Sequence, residues 1–137
     1  MNVKDVMSKE VVTCNPQDYV NEVAEQMRTL DIGCLPVVSN KKLVGMITDR
    51  DIVTRSVAKD VRSKVDDVMT KSVISVSPDD TTEDASIVMA RNQVRRLPVM
   101  EKGLLVGFVS LADLAFPFPH VQEISNAMES ISEPRNF

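Results

Sequence analysis

Two short stretches carry a hydroxyl and a carboxylate three residues apart, each directly after an apolar run. In LVGMITDRD, Leu43 to Asp51, the pair is Thr48 and Asp51; in LVGFVSLAD, Leu105 to Asp113, it is Ser110 and Asp113. Two kinds of chemistry suit that spacing. A Thr or Ser at a helix N-cap with an acidic residue at N3 makes a capping box, and the carboxylate suits the positive end of the helix. Capping alone is typically worth ~1 kcal/mol. A carboxylate so placed can also accept two hydroxyl hydrogens, which is what a vicinal diol offers. The two uses are compatible.

Other reactive side chains are fewer. Arg95 and Arg96 stand together in NQVRRLPV, where the matching positions of the earlier stretch hold Gly33 and Cys34. Arg forks match phosphate oxygens; the alternative is a solvated strand end pairing with nearby carboxylates, which contributes little. Cys14 and Cys34 match no zinc or redox spacing, so they read as buried free thiols or as a redox pair. The lone His120 has no partners for metal binding or base catalysis, and no nucleophile–base set is visible. An enzyme is not expected.

The elements that position these residues follow from a repeat. Shifted by 62 residues, VKDVMSKEVVTCNPQD from Val3 falls on VDDVMTKSVISVSPDD from Val65, and LPV at Leu35 falls on LPV at Leu97 without a gap. Each copy reads as strand, helix, strand, strand, helix. Strands are expected at Val11 to Thr13 and Val73 to Val76, ending near Pro16 and Pro78. Val20, Val23, Ala24, Met27 and Leu30 form one helical stripe, and Asp80, Thr81 and Thr82 are N-cap candidates for its counterpart. Hairpins follow at Leu35–Val38 with Leu43–Thr48, and at Leu97–Met100 with Leu104–Ser110. Gly45 and Gly107 lie inside strands, where glycine marks a close approach; packing between the copies is the expected cause.

A repeat this small cannot bury its faces alone, so an α+β globule is expected with the two copies packed in pseudo-twofold symmetry. The divisions are 1–60, 61–116 and a C-terminal tail, 117–137, with a short helix on Val121, Ile124 and Met128 and exposed Phe116 and Phe118. The 137 residues are 43% hydrophobic and 26% charged, as in a soluble globular protein. A net charge of −4 argues against broad nucleic-acid binding. No signal peptide or membrane span is apparent, so a cytoplasmic protein is expected.

The doubled pattern, DVM(S/T)K with a following Pro, then LPV, then LVG, (T/S) and Asp, resembles the tandem CBS domain, or Bateman module, over roughly residues 1 to 116. The resemblance implies a regulatory module that binds an adenosine-containing ligand, such as AMP, ADP, ATP or S-adenosylmethionine, in clefts between the repeats. It implies ribose contacts from Thr48, Asp51, Ser110 and Asp113, and phosphate contacts from the basic pair Arg95 and Arg96. The segments Thr13, Cys14, Asn15, Pro16 and Ser75, Val76, Ser77, Pro78 match positions that line the base pocket. It also implies a homodimer and a protein partner regulated in trans. The alternatives are a ligand-free structural or stress-associated dimer and a redox-responsive form using Cys14 and Cys34.

Overall fold

A computed structural model describes residues 1–59 and 62–115; the tail helix, Phe116, Phe118 and His120 lie outside the described residues. In chain order the elements are α1 (Val3–Val6), α2 (Val20–Leu30), β1 (Cys34–Ser39), β2 (Lys42–Thr48), α3 (Asp49–Arg55), a 3-10 turn (Val57–Lys59), α4 (Val65–Val68), α5 (Thr82–Asn92), β3 (Arg96–Glu101), β4 (Leu104–Ser110) and α6 (Leu111–Ala115). The class is α+β, with two antiparallel hairpins, β1–β2 and β3–β4.

Each hairpin closes through two residues with positive φ, Asn40 and Lys41 in one and Lys102 and Gly103 in the other. That is the geometry of a type I′ turn, whose twist matches the flanking strands. One strand face is apolar and buried: Leu35, Val37 and Ile47 in one hairpin, Leu97, Val99 and Val109 in the other. The stripe of α2 covers the first through Val20, Val23 and Met27, and Ala85 and Met89 of α5 cover the second. Of the three cap candidates before α5, Thr81 takes the position, its Oγ1 accepting from Asp84 N at 3.0 Å.

The strands expected at Val11–Thr13 and Val73–Val76 shrink to single parallel bridges, Cys14 with Val37 and Val76 with Val99. Proline explains this. Cys14 N donates to Pro36 O at 3.0 Å and Val38 N to Cys14 O at 2.8 Å. Extending that parallel ladder in either direction needs a backbone N–H from residue 36 or residue 16, and both are prolines. Pro78 and Pro98 stop the second ladder in the same way.

Compact units and sequence repeats do not coincide. One unit runs unbroken from Val12 to Val73 and contains Thr48; the other joins Met1–Val11 to the chain from Ile74 onward and contains Ser110. Two one-turn helices that the periodicity does not reveal cause the exchange. In the Ser110 unit, Val3 N donates to Asp80 O at 2.8 Å and Lys4 N to Pro78 O at 3.0 Å. In the Thr48 unit, Val65 N donates to Asp18 O at 2.9 Å and Asp66 N to Pro16 O at 2.9 Å. The first helix of each repeat thus bonds to the proline turn of the other repeat. Its next residues run along the outer edge of the hairpin, where Thr70 exchanges two bonds with Met46 and Ser8 two with Phe108.

The strand glycines accommodate those edge segments. A Cβ on Gly45 would stand 2.6 Å from Met69 Sδ and 2.9 Å from Thr70 O, and one on Gly107 would meet Met7 Sδ and lie 3.0 Å from Ser8 O. The close neighbour is in each case the other sequence copy, carried into the same unit.

Candidate functional site

Both hydroxyl–carboxylate pairs form the capping box that their spacing predicts. Thr48 Oγ1 accepts from Asp51 N at 3.1 Å, and Thr48 N donates to Asp51 Oδ2 at 3.1 Å. Ser110 repeats this with Asp113, at 3.1 Å for Asp113 N to Ser110 Oγ and 2.8 Å for Ser110 N to Asp113 Oδ2. Each box uses one carboxylate oxygen. In the Thr48 unit the other oxygen, Asp51 Oδ1, lies 3.8 Å from Arg55 Nε, and the Asp51 side chain is only 13% exposed. Arg55 also donates through Nη1 to Val68 O at 3.1 Å, which pins it between α3 and α4. In both boxes the hydroxyl accepts a bond, and among the described residues its own proton has no acceptor, which leaves it to a ligand.

Strand register fixes what stands beside each box. Arg96 pairs directly with Ser110 across β3–β4, so their Cβ atoms are about 5 Å apart on one face. Arg95 is tied to the same end, its carbonyl accepting from Leu111 N at 2.8 Å. Both arginines are exposed, and among the described residues neither guanidinium has a hydrogen bond or ion pair. The solvated pair bound to nearby carboxylates is therefore not what the described residues form. The Thr48 unit has the same backbone with different groups: Cys34 opposes Thr48, and Gly33 O accepts from Asp49 N at 2.9 Å.

The two proline turns form a separate group on the other edge of each hairpin. Asn15 Oδ1 accepts from Gln17 N at 2.9 Å, and Asn15 N donates to Asp18 Oδ2 at 2.9 Å. Ser77 Oγ accepts from Asp79 N at 3.4 Å, and Ser77 N donates to Asp80 Oδ2 at 2.8 Å. The side chains of Asn15 and Ser77 therefore shape turns, and Pro16 and Pro78 lend their carbonyls to α4 and α1. Cys14 and Val76 are buried in the two cores. Thr13 and Ser75 differ: among the described residues their backbone N–H and C=O groups have no partner. Each thus offers one donor and one acceptor, the pair of groups that an adenine edge also carries.

The thiols do not form a pair. No disulfide joins Cys14 and Cys34. Cys14 packs in the core with Val37, whereas Cys34, one residue before buried Leu35, lies on the opposite strand face. Burial is the main cause that pushes the Cys14 thiol from 9.0 up to about 12, with Asp18 and Cys34 adding to it. A thiol held neutral is a poor nucleophile. Because the folded value is raised, its stabilising contribution is complete below about 9 and is lost as the pH rises toward about 12. Cys14→Val, the residue found at the equivalent position 76, is expected to flatten the fall in thermal midpoint between pH 9 and 12, measured by circular dichroism. An unchanged alkaline slope would remove Cys14 as its source.

Among the described residues no three His, Cys, Asp or Glu side chains gather to hold a metal, and no helix is long and apolar enough to cross a membrane.

Residues 3–58 and 65–116 each match the CBS domain family. The CBS domain-containing protein YhcV of Bacillus subtilis is 39% identical over 133 residues, covering 96% of this chain and 95% of that protein. Among solved structures, the CBS domain pair of protein MJ0100 in complex with 5′-methylthioadenosine and S-adenosylmethionine superposes with a TM-score of 0.76 at 29% identity, over 84% of this chain and 93% of that one. CBSX2 in complex with AMP gives a TM-score of 0.74 at 26% identity, over 83% and 93%. With the family matched twice along the chain, the protein belongs to the CBS-domain family as a tandem CBS pair.

Proposed function

We propose that this CBS pair is a regulatory, non-catalytic module that binds adenosine-containing ligands such as AMP, ADP, ATP or S-adenosylmethionine. The carrying observation is that each capping box keeps one carboxylate oxygen and one hydroxyl proton beyond what the cap consumes. In this reading Thr48 with Asp51, and Ser110 with Asp113, take the ribose hydroxyls. Arg95 and Arg96 take a phosphate, and Thr13 and Ser75 meet the base through their backbone groups. Cys14, Asn15, Pro16, Val76, Ser77 and Pro78 hold those backbones in place. The ligand-bound structures of MJ0100 and CBSX2, both CBS proteins, support the ligand class.

Regulation then follows from differential affinity, since a ligand shifts a conformational equilibrium only as far as it prefers one state. A cytoplasmic homodimer acting on a protein partner in trans is the assembly that suits such a module.

Isothermal calorimetry and thermal shift with AMP, ADP, ATP and S-adenosylmethionine test the reading. Ligand at 100 times its dissociation constant is expected to add ~2.7 kcal/mol of stability. Absence of binding by all four at millimolar concentration would leave the ligand-free scaffold as the better account. The double variant Arg95→Ala, Arg96→Ala is expected to weaken AMP binding at least tenfold while leaving uncharged adenosine within threefold. Equal losses for both ligands would mean that the arginines do not read phosphate.

A further inference from the structure

The two hairpin ends have the same backbone pairing and different charged groups. At the Ser110 end the residue bonded through its carbonyl to the first residue of α6 is Arg95, that first residue is the uncharged Leu111, and Arg96 faces Ser110. At the Thr48 end the corresponding three residues are Gly33, Asp49 and Cys34. The exchange goes beyond the loss of two cations. Asp49 places its carboxylate where a side chain at position 33 would begin: a Cβ on Gly33 would stand 3.0 Å from Asp49 Oδ2. Asp49 Oδ1 is held there by Arg50 N at 2.8 Å. The volume next to Thr48 that would continue into an Arg95-like side chain therefore holds a fixed anion.

Two cations share α3 with this anion. Arg55 is committed to Asp51 and to Val68 O, while Arg50 is exposed and holds Asp49 Oδ1 through its backbone N–H. Like charge placed at short range raises the free energy of binding in proportion to its proximity. A neutral or cationic group beside Asp49 meets no such repulsion.

From this we infer that the two ends divide the ligand class: the Ser110 end selects nucleoside 5′-phosphates, and the Thr48 end rejects them in favour of nucleosides whose 5′ substituent is neutral or positively charged. The inference rests on the adenosine-binding reading above and assigns Asp49 as the specificity-determining residue of the Thr48 end. The Thr-x-x-Asp motif alone does not contain this division, because Asp49 and Leu111 occupy a position the motif leaves open.

The amides of Asp51 and Asp113 lie within the two boxes, so NMR titration of the full, ¹⁵N-labelled chain reads each end separately. With AMP, the Asp113 amide is expected to respond with at least tenfold higher affinity than the Asp51 amide. With 5′-methylthioadenosine that preference is expected to reverse or vanish. Asp49→Asn keeps the acceptor for Arg50 N and removes the charge; it is expected to raise AMP affinity at Asp51 at least tenfold and to change 5′-methylthioadenosine less than threefold. Asp49→Leu, copying the other end, should act in the same direction if the asparagine variant does not fold. AMP filling both ends equally in the wild type, or an unchanged AMP affinity at Asp51 in both variants, overturns the division while leaving adenosine binding intact. No response of either amide to either nucleoside overturns the parent reading and this one with it.

Discussion

Deleting Met1–Lys9 is expected to unfold the Ser110 unit while the Thr48 unit keeps its structure. The deleted residues include Val3, which is fully buried in the core with Ala85, Met89 and Val99, and Met7, which packs against the same cluster. Burying one such side chain is worth roughly 1.5–3 kcal/mol. Five backbone hydrogen bonds go as well: Val3 to Asp80, Lys4 to Pro78, Thr82 to Met1, and the two between Ser8 and Phe108. At a net of about 1 kcal/mol each, the loss reaches about 6 kcal/mol or more, comparable to the whole stability of a small domain. Hydrogen exchange reads the outcome by strand. The amides of β3 and β4 should lose protection while those of β1 and β2 keep it. Equal loss in both hairpins, or none in either, would contradict the division of the chain into these two units.

Valine at either strand glycine is the second large effect. Gly→Ala at a compatible backbone usually stabilises by ~0.4–1 kcal/mol through the unfolded chain. At Gly45 the sign should reverse. Methionine Sδ can move aside, but the Thr70 carbonyl at 2.9 Å from the added Cβ is fixed by its paired bonds with Met46. Overpacking of this kind costs about 1–3 kcal/mol, and valine, with two further carbons, should fall at or above the upper end. Gly107→Val is expected to behave alike, because Ser8 O is held by Phe108. Urea denaturation would show midpoints falling in the order Gly, Ala, Val at both positions. A Gly45→Ala protein as stable as the wild type would mean that the edge segment yields at no cost.

Much of this was legible in residues alone. The stripe of α2 and the alternation of both hairpins gave elements within about a residue of those observed, because burial on one face writes itself into sequence with a fixed period. The capping boxes were readable for the same reason: they depend on residues three apart. What escaped depends on groups distant in sequence. A four-residue helix such as α1 or α4 has no periodicity to detect and little stability of its own; it is held by carbonyls of the other repeat. The segments ending at Cys14 and Val76 have strand-like β-branched residues, but the prolines that stop their ladders, Pro36 and Pro98, lie opposite them and far off in sequence. At the candidate site, the replacement of Asp49–Arg50 by Leu111–Ala112 was visible as a difference between the copies. Its meaning needed the bond from Asp49 N to Gly33 O, which brings the carboxylate to the position where Arg95 stands in the other unit.

The unbroken course of the Thr48 unit sets an order of events during synthesis. By the time Val73 has left the ribosome every strand and helix of that unit is available, so it can fold while the rest is still being translated. Met1–Val11 emerges before that unit yet waits longer, since the β4 edge that receives Ser8 is completed only when Ser110 appears. Throughout that interval Val3, Val6 and Met7 lack the core that they fill in the folded unit.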